Sequence, residues 1–328
     1  MATVVQKSWY EGAPWLPLLY PLGNLVAFIA KARWKRFHQQ AKTPPVPLLV
    51  VGNITVGGTG KTPLVVALCK HFSYHGIKVA VISRGYGAKP PALPWSVSAE
   101  QSAEVAGDEP LLIARRTGVP VVIDPNRRRA MEYAVREFQP DIIISDDGLQ
   151  HFRLPRTLDL VMLDPSRGLG NGRCLPAGPL REPADRLNQV DYLVLNGKPD
   201  SRWPSAVVMA LQPGDPVNLL TGETLPMEEF AARHPLVHAF AGIGHPQRFF
   251  SALASWDIRV TGHPLPDHHQ FVADDFAGLQ GQTVIMTEKD AVKCSAIAGP
   301  DFWYLPVTAR LPGVFLDDVL ERLQRSRR

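Results

Sequence analysis

After Pro44-Pro45 the chain falls into short apolar runs: Leu48 to Val51, Val79 to Ser83, Val119 to Ile123, Ile142 to Ser145, Leu158 to Leu163 and Tyr192 to Leu195. They are rich in Val and Ile and lack a clean period of two, as strands covered on both faces should. Stretches of helical character separate them, so the pattern predicts an α/β fold with a doubly wound, mainly parallel sheet. Ligands in such sheets gather beyond the carboxyl ends of the strands, which puts most of the interesting polar residues on one rim. The rhythm breaks at Leu211 to Phe230, where Gln212-Pro213-Gly214-Asp215-Pro216 and a Thr221-Gly222 turn suggest a small ribbon or linker. From Leu236 it resumes, with strands expected at Leu236 to Ala241, Ile258 to Val260, Thr283 to Thr287 and Trp303 to Val307, and a helix at Pro246 to Trp256. The organisation expected is an N-terminal segment over 1–40, a larger α/β domain over 41–210, a ribbon over 211–230 and a smaller α/β domain over 231–328. The tail ending Arg325-Ser326-Arg327-Arg328 reads as a solvated end.

The N-terminal segment has its own pattern. Gly12 to Ala30 carries no charge and is followed at once by Lys31, Arg33, Lys35 and Arg36. Pro14, Pro17, Pro21, Gly23 and Asn24 interrupt it, so it makes a poor spanning helix, which needs about 20 apolar residues. The basic cluster follows the apolar run, the wrong order for a secretory signal. Trp15, Leu18, Leu19, Leu22, Leu25, Val26 and Ile29 beside those cations suit a segment lying in a membrane interface. The plainer alternative is a helix packed on its own domain.

Composition narrows the picture slightly. The 328 residues are 45% hydrophobic and 20% charged, as in a globular protein, and the net charge of +4 mildly favours anionic partners. Three cysteines, Cys69, Cys174 and Cys294, lie far apart, which supports neither a disulfide framework nor a zinc site and fits a reducing cytoplasm.

The strongest chemical signal is Gly57-Gly58-Thr59-Gly60-Lys61-Thr62, placed between an apolar run and a helix-like segment from Leu64 to His71. Strand, glycine-rich turn and helix in that order form a phosphate-binding loop. Backbone N–H groups can curl round a polyphosphate, Lys61 can reach its β and γ groups, and the Thr62 hydroxyl can hold Mg²⁺. The domain over 41–210 is thus expected to bind ATP or GTP. Thr55 stands where the full G-x-x-x-x-G-K-[ST] pattern wants Gly.

Other residues join this loop on the rim. Ile142 to Ser145 ends in Asp146-Asp147, where a nucleotide-binding sheet needs an anion for Mg²⁺. Ser83-Arg84-Gly85-Tyr86-Gly87 suits a charge-assisted phosphate or substrate contact, or a tight turn with a surface Arg. Asp108 precedes a helix and reads first as its N-cap, with a proton-accepting role as the second option. Asn126-Arg127-Arg128-Arg129 faces either an acidic substrate or solvent. Asp164 to Pro183, rich in Gly and Pro and carrying Arg167, Arg173, Arg181 and Glu182, has the length of a functional lid or, alternatively, of a merely disordered loop. Asp267-His268-His269 pairs imidazole with carboxylate, as proton transfer requires. Thr287-Glu288-Lys289-Asp290 is either a substrate contact or a surface charge cluster.

Together the motifs Asn53 to Pro63, Ser83 to Gly87, Gly107 to Pro110, Asp146 to His151, Leu175 to Pro183, Ala241 to Gly244, Pro266 to His269 and Thr287 to Asp290 resemble the tetraacyldisaccharide 4'-kinases, the lipid A 4'-kinases of Gram-negative bacteria, over nearly the whole chain. Thr55 is that family's own habit. The resemblance implies transfer of the ATP γ-phosphoryl group to the 4'-hydroxyl of a tetraacyldisaccharide 1-phosphate. It implies work at the cytoplasmic face of the inner membrane, as a peripheral or monotopic protein, with no nucleic acid partner. It also implies roles: Thr55, Val56, Gly57, Gly58, Thr59, Gly60, Lys61 and Thr62 for nucleotide, and Asp146 and Asp147 with Thr62 for metal. Asp108 would be the base, assisted by His268 with Asp267 beside it, while Arg84, His151, Arg181 and Glu182 would line the site. The alternative is a P-loop kinase of a soluble small acceptor, for which the Trp15 to Ile29 stretch would pack inside the protein.

Overall fold

The computed structural model describes residues 2–38 and 43–326. Its strands are β1 Leu48–Gly52, β2 Val79–Ser83, β3 Trp95–Val97, β4 Val121–Ile123, β5 Ile142–Asp146, β6 Leu158–Leu163, β7 Tyr192–Asn196, β8 Val207–Pro213, β9 Val217–Asn218, β10 Leu236–Ala241, β11 Arg259–Pro264, β12 Val284–Thr287, β13 Phe302–Leu305 and β14 Val307–Arg310. The helices are α1 Ala2–Glu11, α2 Tyr20–His38, α3 Lys61–Tyr74, α4 Ala103–Ala106, α5 Asp108–Thr117, α6 Arg127–Phe138, α7 Met227–Arg233, α8 Pro246–Ala254, α9 Glu288–Cys294 and α10 Gly313–Arg325.

Among the described residues the larger sheet runs β14-β8-β7-β6-β1-β5-β2-β4-β3, parallel except at its two edges. Every residue of β1, β2, β5 and β6 is buried, which explains their continuous hydrophobic runs. One face is covered by α3, α5 and α10, through Leu64, Leu68, Phe72, Leu111, Phe315 and Leu323. The other packs under α6 and the long loop, through Ile54, Met131, Leu149, Cys174 and Leu180. The smaller sheet runs β11-β10-β12-β13-β9, parallel apart from β9.

The carboxyl-terminal third differs from the expectation. The run read as one strand from Trp303 to Val307 is two strands divided at Pro306, with β13 in the smaller sheet and β14 pairing antiparallel with β8 in the larger. Proline lacks the N–H a ladder needs, so the chain changes sheets there. Helix α10 then buries Phe315, Val319 and Leu323 in the core beneath α3. The unit expected over 231–328 therefore gives up its last residues to the larger domain, and β9 adds residues before 231 to it. The expected ribbon over 211–230 is likewise divided between β8, β9 and α7. Two crossings join the sheets, around Gly214 and at Pro306, and the Gly214 N–H donates to Pro306 O at 2.9 Å. Of the tail expected to be solvated, Arg325 closes α10, whereas Arg327 and Arg328 lie outside the described residues. Residues 39–42 at the junction of the expected N-terminal segment also lie outside them.

At the amino terminus, α1, a 3-10 turn at Leu16–Leu19 and α2 lie on the loop-covered face. Val26 and Ala27 pack onto that core, and the Trp34 ring sits 3.7 Å from the Arg186 guanidinium. Leu18, Leu22, Leu25, Phe28 and Ile29 point away and are exposed. No single described helix is long and apolar enough to cross a membrane, and the bent pair Val5–Glu11 and Leu16–Phe37 turns through 106°.

Candidate active site

The loop between β1 and α3 is held from both sides. Gly57 and Gly60 take φ of 101° and 88°, a left-handed backbone that residues with a Cβ rarely adopt. Gly60 is the N-cap of α3 and supplies no side chain, so the first amides of the helix are left for an anion. Asn53 Nδ2 donates to Thr55 O at 2.8 Å and Gly57 O at 3.3 Å, and its Oδ1 accepts from Lys61 Nζ at 3.3 Å. Asn196 Nδ2 braces the turn by donating to Thr59 O at 3.0 Å. Of the residues expected to hold nucleotide, Val56 has given its N–H to Pro179 O at 2.9 Å, and Thr55 bridges to Leu180. These two anchor the loop, which narrows the cradle expected for phosphate to Gly57 to Thr62.

The two acids that end β5 have opposite electrostatics. Asp146 is 1% exposed, and burial, reinforced by Glu109 and Asp147, pushes its pKa up to about 7. Ser83 Oγ donates to its Oδ2 at 3.3 Å, while Oδ1 is buried without a hydrogen-bond partner. An orphaned anionic oxygen beside a phosphate cradle fits a cation ligand. Asp147, at φ 48°, meets Lys61 Nζ at 3.3 Å and Arg181 Nη1 at 3.1 Å. Burial alone would raise its pKa, but those two cations outweigh it and hold the carboxyl at about 2.

The third feature bridges the two sheets. His268 Nδ1 and Asp108 Oδ2 are 2.9 Å apart, although 160 residues separate them. Asp108 is the first residue of α5, whose N-cap is Gly107; its Oδ2 meets His268 while its Oδ1 accepts from the Glu109 N–H in the first turn at 2.9 Å. Burial opposes ionisation of Asp108, yet the His268 hydrogen bond and Lys289 carry its pKa below the usual value. The same hydrogen bond raises His268 above 6.5 in spite of burial. The Tyr86 ring lies 4.7 Å from the His268 ring. Lys289 Nζ contacts Glu109 at 2.9 Å and Asp267 at 3.0 Å, and although burial works against its charge, these carboxylates hold it protonated. The rim can therefore bind a polyphosphate, hold a cation and take a proton from a hydroxyl.

A family profile for "Tetraacyldisaccharide-1-P 4'-kinase" matches residues 15–324. The chain belongs to the tetraacyldisaccharide 4'-kinase family. The tetraacyldisaccharide 4'-kinase of Alcanivorax borkumensis is 53% identical over 318 residues, 97% of this chain and 96% of that protein. That of Pseudomonas putida F1 is 50% identical, covering 97% of each chain. A crystal structure of LpxK from Aquifex aeolicus in complex with ATP aligns at a TM-score of 0.75 with 28% identity, over 95% of this chain and 99% of that one. As a tetraacyldisaccharide 4'-kinase, this chain is a phosphotransferase with an alcohol acceptor, serving lipid A biosynthesis.

The remaining residues expected at the site take varied positions. Arg84 stands exposed just beyond β2. His151 is half-buried, and burial together with Arg127 and Arg84 lowers its pKa to about 4, so it is neutral at neutral pH. Glu182 is 2% exposed and accepts from Gln150 Nε2 at 2.7 Å, while Gln150 Oε1 accepts from Arg181 at 3.3 Å. It braces Arg181 from behind and does not itself face the cleft. Burial raises its pKa.

Several contacts went unread in the sequence. Arg127 is buried and reaches Asp124 O at 2.9 Å and Asp146 O at 3.4 Å, which resolves the Asn126 to Arg129 run: its first arginine points inward and Arg128 outward. In the Thr287 to Asp290 run, Lys289 joins the Asp108 cluster, Glu288 pairs with Arg116, and Asp290 Oδ2 accepts from Gly242 N at 2.8 Å. The long loop is tied across the cleft, since Arg167 Nη2 donates to Gly244 O at 2.8 Å and Arg248 reaches Asp164 at 2.8 Å. Arg127 apart, whose partner Asp124 is three residues away, these partners lie far along the chain.

Gly244 packs directly on the phosphate loop, and a Cβ there would stand 2.9 Å from Gly58 N and 3.3 Å from Gly58 Cα. Both are backbone atoms, so neither can rotate aside. Gly244→Ala should hold the two sheets apart and lower kcat/KM by roughly 10²-fold, the scale of an ångström's misplacement. Steady-state kinetics beside a thermal melt checks this, with the melting temperature expected to stay put; unchanged kinetics would remove this contact from closure.

Proposed function

We propose that phosphoryl transfer takes place in the cleft between the sheets, with Asp108 as base and His268 as its partner. The observation that carries this is their 2.9 Å hydrogen bond, which needs residues from both sheets and lies on the rim that holds the phosphate loop. The 4'-hydroxyl of the lipid disaccharide attacks the γ-phosphorus of ATP. The bond to the β-phosphate oxygen breaks, ADP leaves, and the hydroxyl proton passes to Asp108. An ordinary Asp is a weak base at neutral pH, and it is stronger when the adjacent imidazole is neutral. Lys61 and the α3 amides stabilise charge on the β and γ groups. Mg²⁺ is the cation suited to Asp146, with Thr62 and Asp147 as further candidates, and when bound it neutralises phosphate charge.

The acceptor carries acyl chains, and the amino-terminal segment supplies a surface to match. Leu18, Leu22, Leu25 and Phe28 form an exposed row at helical spacing, followed by Lys31, Lys35 and Arg36. We place this face in the membrane interface at the cytoplasmic side of the inner membrane, with cations on anionic headgroups. A nucleic acid partner is not part of this reading.

Incubation with ATP and the lipid disaccharide, with Mg²⁺ or with excess EDTA, tests the chemistry. Phosphate should appear on the lipid only with the metal. Flotation with anionic liposomes tests the surface: the wild type should float, and Leu22→Glu/Leu25→Glu/Phe28→Glu should remain in the soluble fraction. Equal flotation of the two proteins would remove the membrane role, and a purely water-soluble acceptor would favour the alternative kinase.

A further inference from the structure

Away from the cleft, the far end of α3 and the start of α10 bring three donors together. His71 and His75 are four residues apart, a spacing that puts both imidazoles on one side of the helix end, and Asp317 faces them from α10. His71 Nε2 lies 3.0 Å from Asp317 Oδ1, and His75 Nε2 lies 3.9 Å from that same oxygen. One donor atom from each residue falls within 4.8 Å of the other two. A simple ion pair needs one imidazole, whereas here two rings, with centroids 4.6 Å apart, turn the same nitrogen toward one carboxylate. His71 Nε2 is also shielded from water and makes no aligned hydrogen bond. A metal ion would satisfy it.

We propose that His71, His75 and Asp317 bind a divalent ion of the zinc class, separate from the phosphoryl-transfer cleft. Two imidazoles and a carboxylate are the donors such ions prefer, while Mg²⁺ selects oxygen and keeps its waters. Bonds of about 2.1 Å in tetrahedral array put ligand atoms about 3.4 Å apart. His71 and Asp317 are already close to that spacing. His75 needs to approach Asp317 Oδ1 by about half an ångström on the same geometry, and it is exposed at the end of α3, where its ring can turn. Water completes the shell. The site lies about 15 Å along α3 from Lys61, at 1.5 Å per residue. The ion therefore fastens α10 to α3 without touching the reacting atoms.

The test uses the full chain, stripped with chelator, desalted and titrated with zinc chloride by calorimetry without nucleotide or magnesium. One zinc per chain is expected to bind, weakened at least about tenfold in both Asp317→Asn and His75→Ala, since the loss of one of three ligands removes much of the affinity. Zinc should raise the melting temperature of the wild type by several degrees and leave that of the variants unmoved. Both replaced residues are exposed, and metal-free melts matching the wild type verify that they fold. Cobalt(II) should give the intense visible bands of four- or five-coordination in the wild type alone. Zinc binding that is absent, or unchanged in both variants, overturns the proposal. So does a zinc event lost only in Asp146→Asn, which would put the ion in the cleft.

Discussion

Asparagine at position 108 should cut kcat by about 10² to 10⁴, the usual contribution of a positioned proton acceptor. It keeps the shape of Asp108 and can still hydrogen-bond His268, so ATP affinity is expected to hold. The pH profile makes this specific to proton transfer. His268 titrates above 6.5 because Asp108 bonds to it, and Asp108 gains basicity as His268 loses its proton, so wild-type kcat/KM should rise with pH through that elevated pKa. In the variant the charged partner is gone, and the inflection should move toward lower pH. Stability follows the same signs. The raised His268 pKa adds stability that is full below the unfolded value of 6.5 and disappears as pH rises through the folded one. The depressed Asp108 pKa adds stability that is present above the unfolded value of 3.8 and is lost as pH falls through the folded one. Near-normal turnover with an unshifted profile would remove Asp108 from the base role.

Lys61→Ala should do its damage earlier, at nucleotide binding. Hydrogen bonds to charged groups are worth about 1.5–3 kcal/mol, so ATP affinity should fall about 10- to 150-fold, with a further loss in kcat where charge develops on the leaving phosphate. The change also strips Asp147 of one of its two cations, leaving Arg181 alone to offset burial, and its pKa should climb from about 2. Calorimetry with ATP and steady-state rates measure both effects. If neither moved, the assignment of the phosphate loop would fail.

The central strands were legible because burial on both faces writes itself as unbroken runs of Val, Ile and Leu. β2, β6 and β10 begin and end where the pattern put them. The edges of the larger sheet were not. Val207–Pro213 is largely exposed beyond Met209 and pairs with a strand about a hundred residues later, so neither composition nor local period marks it. The strand, glycine turn and helix from β1 to α3, and the acids that end β5, could be read because each is contiguous in the chain. The Asp108–His268 pair, 160 residues apart, came from family resemblance alone; the local signal at Asp108 pointed to an N-cap, a position Gly107 takes, although Asp108 Oδ1 still accepts from the Glu109 N–H. The cross-cleft ties of Arg167, Arg248 and Lys289 depend on tertiary closure, which a linear pattern does not encode.

The side-by-side passages near Gly214 and Pro306 make the smaller sheet a guest inserted into a host fold that closes again after it. Cutting the chain after Pro306 would not release a tidy carboxyl-terminal module. It would pull the last edge strand and α10 away from α3 and take Phe315, Val319 and Leu323 out of the larger domain's core. Entry and exit share one narrow junction, and the Arg167–Gly244 and Arg248–Asp164 ties fix the guest to the host at a second point. Two-point fastening of that kind is what sets His268 against Asp108 across 160 residues of chain.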